Sequence, residues 1–334
     1  MVATKSSKAE KPEELVYHYC SLETFYSIVT NHTVRLSEID KSNDRKEIIW
    51  IKDFIQHAFT QQFEATASAE LLEKLPTLAF AKLLEATLED FFGKSTWYNY
   101  LGCCFSKKED LLSQWRGYAD NGAGVCLGFS KRQLEELSEQ KQQAFMVEEK
   151  LAYPLRWPSH GDVMYIEMGD YRAEGTTARY TGWLKELAKN LVASLEDEDG
   201  YRQEEKRMYG ADILGGVVAA FLQSPLYKSK GFAEEEEWRI LSLIEKTREL
   251  PGATAGLAQD AAGCGSIVRG RNFVFYTDWK FAPAQKNKDA TDMIQEVILG
   301  PKCKACPQDI SLFMRANNHL IAAKDIVLSK ISYR

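Results

Sequence analysis

Short apolar stretches of two different periods follow one another along this 334-residue chain. Some alternate every second residue, the mark of a half-buried strand. Others repeat every three to four residues, the mark of an amphipathic helix. They do not follow the regular strand–helix–strand rhythm of a doubly wound parallel sheet. The pattern therefore predicts an α+β fold, with mixed, mainly antiparallel small sheets and peripheral helices. Strands are expected in ELVYHYC, TVRLSEI, WYNYLGCCFS, AGVCLGF, EEEEWRILSLIE, RNFVFYTDW, IQEVILGP and the terminal DIVLSKISYR. No internal repeat divides the chain.

Between these strands the helices carry their own start signals. Ser21 can cap a helix whose first turn holds Glu23, and whose apolar face is Leu22, Phe25, Ile28 and Val29. Asp44 and Glu47 have capping-box spacing ahead of Ile48, Ile51, Phe54, Ile55 and Ala58, and Ser106 and Glu109 repeat it before LLSQWRGY. Residues 66–92 read as helical with a break at Pro76, residues 131–142 as helical, and AFMVEEKLAYPL as extended. Residues 1–13 are expected to be a disordered tail. Residues 14–334 then form a single α+β domain with a helical insertion at about 166–227.

A formal net charge of -6 gives no global basic footprint for passive nucleic-acid binding, though it leaves room for a local basic cleft. The longest apolar runs, such as ILGGVVAAFL, are too short to span a membrane. The N-terminus has no apolar core of a secretory signal, so a cytoplasmic location is expected. The seven cysteines then read as reduced. PKCKACP offers one CxxC, Cys303 and Cys306, with only His319 as a nearby partner. A structural zinc site wants four ligands, so no metal is expected.

Four stretches carry residue types suited to chemistry. YHY places His18 and Tyr19 at the end of a strand, where a helix N-terminus offers free N–H groups to a ligand. SQWRGYADNGAGVCLGF sets Trp115, Arg116 and Tyr118 before a glycine-rich turn. The aromatic rings can stack on a flat ligand, Arg116 can pair with a phosphate, and the glycines permit close backbone approach. This is neither a GxGxxG nor a P-loop signature. EEEEWRI runs from a charged stretch into a strand, so Glu237 and Arg239 share one face and Trp238 the other. A carboxylate there can orient a ribose hydroxyl or stabilise a developing oxocarbenium cation. Finally, Asp44 of SND serves as an N-cap, while Asn43 has no such duty. Each stretch also has a plain packing role: core, hairpin turn, surface ion pair or cap.

Taken in order, YHYCSLETFYSIVTNHTVRLSEIDKSNDRKE, CCFSKKEDLLSQWRGYADNGAGVCLGF, GFAEEEEWRI, VILGP and LSKISYR resemble a widespread bacterial family, domain of unknown function number twenty-nine seventy-one. Its members read HYtS, mND..E, FS..D..W..Y, EwR and iGP. Cys20 stands at the Thr-like position of the first motif and Ser42 at the usual Met of the second. The opening strand–helix–strand is also similar to ADP-ribosyltransferase-like proteins such as the DarT toxins and the RNA 2'-phosphotransferases. That resemblance implies an ADP-ribosyltransferase-like fold with NAD as substrate. It makes His18 the ribose holder, Trp115 or Tyr118 the ring that stacks on nicotinamide, and Glu237 the late acid. Tyr19 and Asn43 join the binding set, as do Arg116 and Arg239 toward the pyrophosphate.

The resemblance implies an NAD-cleaving or ADP-ribosyl-transferring enzyme in phage defence or toxin action. On this resemblance the acceptor is expected to be a protein, a nucleic acid or water, with a partner protein from the same operon. A second reading is a non-catalytic, antitoxin-like or regulatory module of the same family. A third is a nucleic-acid-processing role with Arg116, Arg239 and Arg271 along a groove.

Overall fold

A computed structural model describes residues 13–41, 48–74, 79–92, 98–148, 159–167, 178–195, 210–245, 264–282, 292–321 and 323–333. Asn43, the Asp44/Glu47 capping box and most of the N-terminal tail lie outside these residues. In chain order the elements are β1 (Leu15–Cys20), α1 (Leu22–Asn31), β2 (Thr33–Glu38), α2 (Trp50–Glu64), α3 (Ala69–Lys74), α4 (Ala79–Phe92) and β3 (Tyr98–Ser106). There follow α5 (Leu112–Tyr118), β4 (Val125–Ser130), α6 (Lys131–Glu148), β5 (His160–Asp162), β6 (Met164–Ile166), α7 (Ala178–Leu195) and α8 (Gly210–Gln223). The last are β7 (Tyr227–Ser229), β8 (Glu237–Glu245), β9 (Cys264–Arg269), β10 (Asn272–Lys280), β11 (Ile294–Leu299), α9 (Pro307–Ala316) and β12 (Ile326–Leu328). The fold is α+β with mainly antiparallel pairing, as the periodicities predict.

Two compact units divide the chain. The first comprises Met1–Val34, Cys104–Phe145 and Lys280–Arg334; the second comprises Arg35–Cys103 and Met146–Trp279. In the first unit β4 is buried along its whole length. It pairs antiparallel with β1, from Leu15↔Ser130 to Cys20↔Val125, and on its other side antiparallel with β11. β12 runs parallel to β11, and β1 meets the end of β3 at Tyr17↔Ser106. A strand buried on both faces reads as a continuous apolar run, which is what VCLGF supplies.

Helix α1 forms where its signals predict. The Ser21 hydroxyl accepts the Thr24 N–H at 3.2 Å, and Phe25, Ile28 and Val29 face the core. It ends at His32, whose left-handed backbone (φ 50) turns the chain into β2.

In the second unit β8 pairs antiparallel with β5 and neighbours β3. β3 pairs antiparallel with β2, and β2 neighbours β10, which folds back onto β9 as a hairpin. β6 and β7 form a separate parallel pair. The helices of this unit bury one face each; α2 contributes Ile51, Phe54, Ile55, Ala58, Phe59 and Phe63. The expected insertion at 166–227 holds α7 and α8, tied by the Tyr180 hydroxyl donating to Gln223 at 2.9 Å. Among the described residues, no helix is long and apolar enough to cross a membrane.

Three local expectations change. The helix α6 continues to Glu148, so Ala144–Glu148 is helical rather than extended. The last strand is confined to Ile326–Leu328, and the residues after it are held by side chains described below. Helix α5 begins at Leu112 with no side-chain cap, so Ser106 and Glu109 do not form a capping box. The Ser106 hydroxyl accepts the Lys108 N–H at 3.0 Å instead.

Candidate functional site

The first constellation belongs to the first unit. His18 is half-buried on β1 opposite Leu127, with its ring 5.6 Å from that of Phe105. Its Nδ1 lies 3.0 Å from the Cys104 carbonyl. A carbonyl can only accept, so Nδ1 carries the proton, and in the neutral ring Nε2 holds the lone pair. Burial lowers the His18 pKa, the Cys104 carbonyl only partly opposing it, so the neutral ring is favoured.

Tyr19 does something the sequence does not announce. Its hydroxyl donates to the Lys108 carbonyl at 2.9 Å and accepts the Leu111 N–H at 2.9 Å. It thus stands in for the missing cap of α5 and fixes where that helix begins. Its ring meets Trp115 edge to face, with centroids 4.9 Å apart at 82°. Burial pushes the phenol pKa up, so the hydroxyl stays protonated for both bonds.

Trp115 is fully buried in a cluster with Tyr19, Ala119, Cys126 and Ile298. Its indole N–H donates to Asp110 at 2.6 Å. The same carboxylate accepts the Ser329 hydroxyl at 2.7 Å and the Lys330 N–H at 2.7 Å. Asp110 therefore ties α5 to the segment after β12. Arg116 and Tyr118 lie on the outer side of α5, where Tyr118 is 42% exposed. The Arg116 guanidinium lies 5.0 Å from the centre of the Tyr333 ring, and Lys302 caps the same ring at 3.9 Å.

The glycines of DNGAG serve protein backbone. Asp120, Asn121 and Gly122 are all left-handed (φ 49, 53 and 87). The turn is pinned by Gly122 N–H and Gly124 N–H donating to the Ala119 carbonyl, by Lys302 N–H donating to the Gly122 carbonyl at 2.8 Å, and by the Tyr333 hydroxyl on Asn121. A Cβ at Gly124 would lie 2.1 Å from the Cys20 carbonyl oxygen, and one at Gly300 2.4 Å from that of Gly122. HY, QWRGYADNG, GP and the terminal SKISY are thereby one interlocked structure.

The second constellation belongs to the second unit. Glu237 opens β8 and is 7% exposed. Its Oε2 accepts from Arg239 Nη2 at 2.7 Å and from Lys228 Nζ at 3.2 Å, and Lys228 also donates to Glu235 at 2.7 Å. Arg239, fully buried, donates its Nη1 to the Pro225 carbonyl at 2.6 Å. Two carboxylates and two cations thus balance inside the unit. The Tyr165 hydroxyl accepts the Glu237 N–H at 2.8 Å; burial, with the Glu237 charge adding to it, leaves the phenol pKa pushed up to about 12. Glu236, between the two carboxylates, is left-handed (φ 40). The strand-face reading of Glu237 and Arg239 matches this geometry, and Trp238 is buried on the other side against His160.

A third group went unread in the sequence. His319, fully buried, has Nδ1 3.0 and 3.1 Å from the two oxygens of Asp292 and Nε2 3.2 Å from Nδ1 of His32. The same carboxylate accepts the Ile294 and Leu320 N–H groups. The histidines are 287 residues apart in sequence, so no local spacing could have signalled the pair. Lys228 did leave a signal, a lone lysine after a long apolar run, and so did Asp110, an acid five residues before a tryptophan. Cys306 caps α9, its sulfur accepting the Asp309 N–H at 3.5 Å. Among the described residues no three His, Cys, Asp or Glu side chains gather as a metal site.

The fold class is α+β, and the chain carries its motif residues in two charged or aromatic clusters. Residues 114–240 match the model of a family described as "Protein of unknown function (DUF2971)". This is the family the motifs resemble, and the match covers that stretch of the chain. It takes in Trp115, Arg116, Tyr118, Glu237 and Arg239 from the candidate set. No curated protein and no solved structure gives a significant match.

Proposed function

We propose that this protein is an ADP-ribosyltransferase-like, NAD-consuming enzyme with Glu237 as its carboxylate. The carrying observation is the buried group of Lys228, Glu235, Glu237 and Arg239. Apolar side chains of similar volume would stabilise the fold as well or better, because the cost of removing four charges from water rivals their mutual attraction. Such a group, centred on a carboxylate, is the kind of feature that chemistry requires.

In the reaction the bond from ribose C1 to the nicotinamide nitrogen breaks, and its electron pair leaves with nicotinamide. A lone pair of the acceptor, on a protein side chain, a nucleic acid or water, forms the new bond at C1, and the acceptor's proton passes to solvent. A carboxylate in a desolvated place stabilises the cation-like transition state far more than one in water. Glu237 takes that role. Trp115, fully buried, is committed to the core of its own unit and is not a ring for nicotinamide. The setting the resemblance implies, a cytoplasmic effector of phage defence or toxin type, accompanies this reading.

One observation favours the second reading, a non-catalytic regulatory module: Oε2 of Glu237 already accepts from two internal cations. Calorimetric titration with NAD separates the two. The enzyme reading expects saturable binding to the wild type and weakened or retained binding, without turnover, to a folded Glu237→Gln variant. Absence of binding at millimolar NAD discards it and leaves the regulatory module.

A further inference from the structure

We infer that the β9–β10 hairpin is a docking surface for single-stranded nucleic acid. The inference does not depend on NAD chemistry. The two strands pair from Asn272↔Arg269 to Thr277↔Cys264, joined by the two-residue turn Gly270–Arg271 with Gly270 at φ 60. Directly opposed residues project to the same side of an antiparallel pair, and so do residues two apart on one strand. Phe273, Phe275 and Val268 therefore share a face, and they are 69%, 43% and 68% exposed. The buried face of the same hairpin is supplied by Val274.

Three large apolar side chains are therefore exposed on one face. The charge beside them chooses the kind of partner. Arg271 lies in the turn, whereas Arg269, opposed to Asn272, projects to the Val274 side at the tip of the hairpin; both are exposed and form no ion pair among the described residues. The one acid of the hairpin, Asp278, is already held by Arg35 through two bonds of 2.8 Å. In a chain of net charge -6, this hairpin is locally basic. An anionic partner fits the arginines, and flat unsaturated rings fit the phenylalanines. Two rings two residues apart on a strand are spaced about 7 Å, roughly twice the ~3.4 Å rise per base of one strand. Bases splayed from a single strand can thus lie one on each ring, with Arg271 of the turn on an adjoining phosphate. An acidic extended peptide satisfies the arginines but has no use for two flat rings.

The test is fluorescence anisotropy of a labelled oligothymidine of about 15 nucleotides titrated with the full chain, over a series of salt concentrations. Phe273→Ala combined with Phe275→Ala should weaken binding by about tenfold or more. Phe273→Leu keeps the apolar bulk and loses the flat ring, so it should weaken binding while leaving the fold unchanged. Arg271→Ala should lower the slope of log affinity against log salt by about 0.7, and Arg269→Ala, on the other face, by less. Absence of binding by the wild type at low salt overturns the proposal. So does equal binding by all variants, which would put the nucleic acid elsewhere. Capture of a labelled acidic peptide in place of the oligonucleotide would overturn it in favour of a protein partner.

Discussion

Arg239 and Glu237 stand two residues apart on one face of β8, joined by a hydrogen bond of 2.7 Å between buried charged groups. Lys228 reaches the same oxygen. Taking away one cation leaves two buried carboxylates facing a single positive charge. Arg239→Met should therefore destabilise the protein by about 3–5 kcal/mol, read from urea denaturation of variant and wild type. A loss below about 1 kcal/mol would mean that water compensates the group and that it is not a dry ionic core.

Asp110 holds three donors from two separate parts of the chain. Asp110→Ala leaves the buried indole N–H of Trp115 and the Lys330 N–H without it, at a cost of about 2–4 kcal/mol. Amide hydrogen exchange at residues 329–333 should accelerate in this variant before the rest of the first unit responds. Uniform acceleration throughout that unit would contradict a local tether.

Gly124 and Gly117 are close in sequence and opposite in tolerance. A methyl at Gly124 collides with the Cys20 backbone, so Gly124→Ala should cost about 3 kcal/mol or more. A methyl at Gly117, on α5, meets nothing within 4 Å, and Gly117→Ala should leave stability unchanged or raise it by up to about 1 kcal/mol. Thermal midpoints of the two variants check both statements together.

His18 gives a pH dependence of definite sign. Its pKa in the fold is lowered below the ordinary histidine value by burial. The unfolded chain therefore binds the proton more readily, and stability rises with pH wherever the two states differ in protonation. As pH falls through the unfolded value, near 6.5, the His18 contribution should turn destabilising, and it should level off below the folded value. His18→Gln should remove that part of the slope of unfolding free energy between about pH 7.5 and 5.5. An unchanged slope would mean that His18 titrates alike in both states.

The strands and most helices were legible because their apolar period is local. Ser21, Phe25, Ile28 and Val29 suffice to define α1, and VCLGF suffices for a strand buried on both faces. The start of α5 was misread because its cap is Tyr19, about ninety residues earlier in the chain, not the adjacent Ser106. The glycines of DNGAG read either as room for a ligand or as a turn, and the neighbour that demands Gly124, the Cys20 carbonyl, is more than a hundred residues away in sequence. The pairing of Glu237 with Arg239 was readable from strand alternation, whereas the Lys228 contact needs β7 beside β8, a tertiary fact. The Asp292–His319–His32 chain has the same character, and sequence spacing carries no trace of it.

The central claim is that Glu237 supports cleavage of the bond between ribose and nicotinamide. The most direct measurement is nicotinamide release from NAD, followed by chromatography, with wild type, Glu237→Gln and Glu237→Asp, each shown to be folded by circular dichroism. The account predicts release by the wild type, a drop of about a hundredfold or more in Glu237→Gln, and partial activity in Glu237→Asp, which keeps the charge but shortens its reach. Equal release by the wild type and Glu237→Gln, or none from any of the three in the presence of candidate protein and nucleic-acid acceptors, would contradict it.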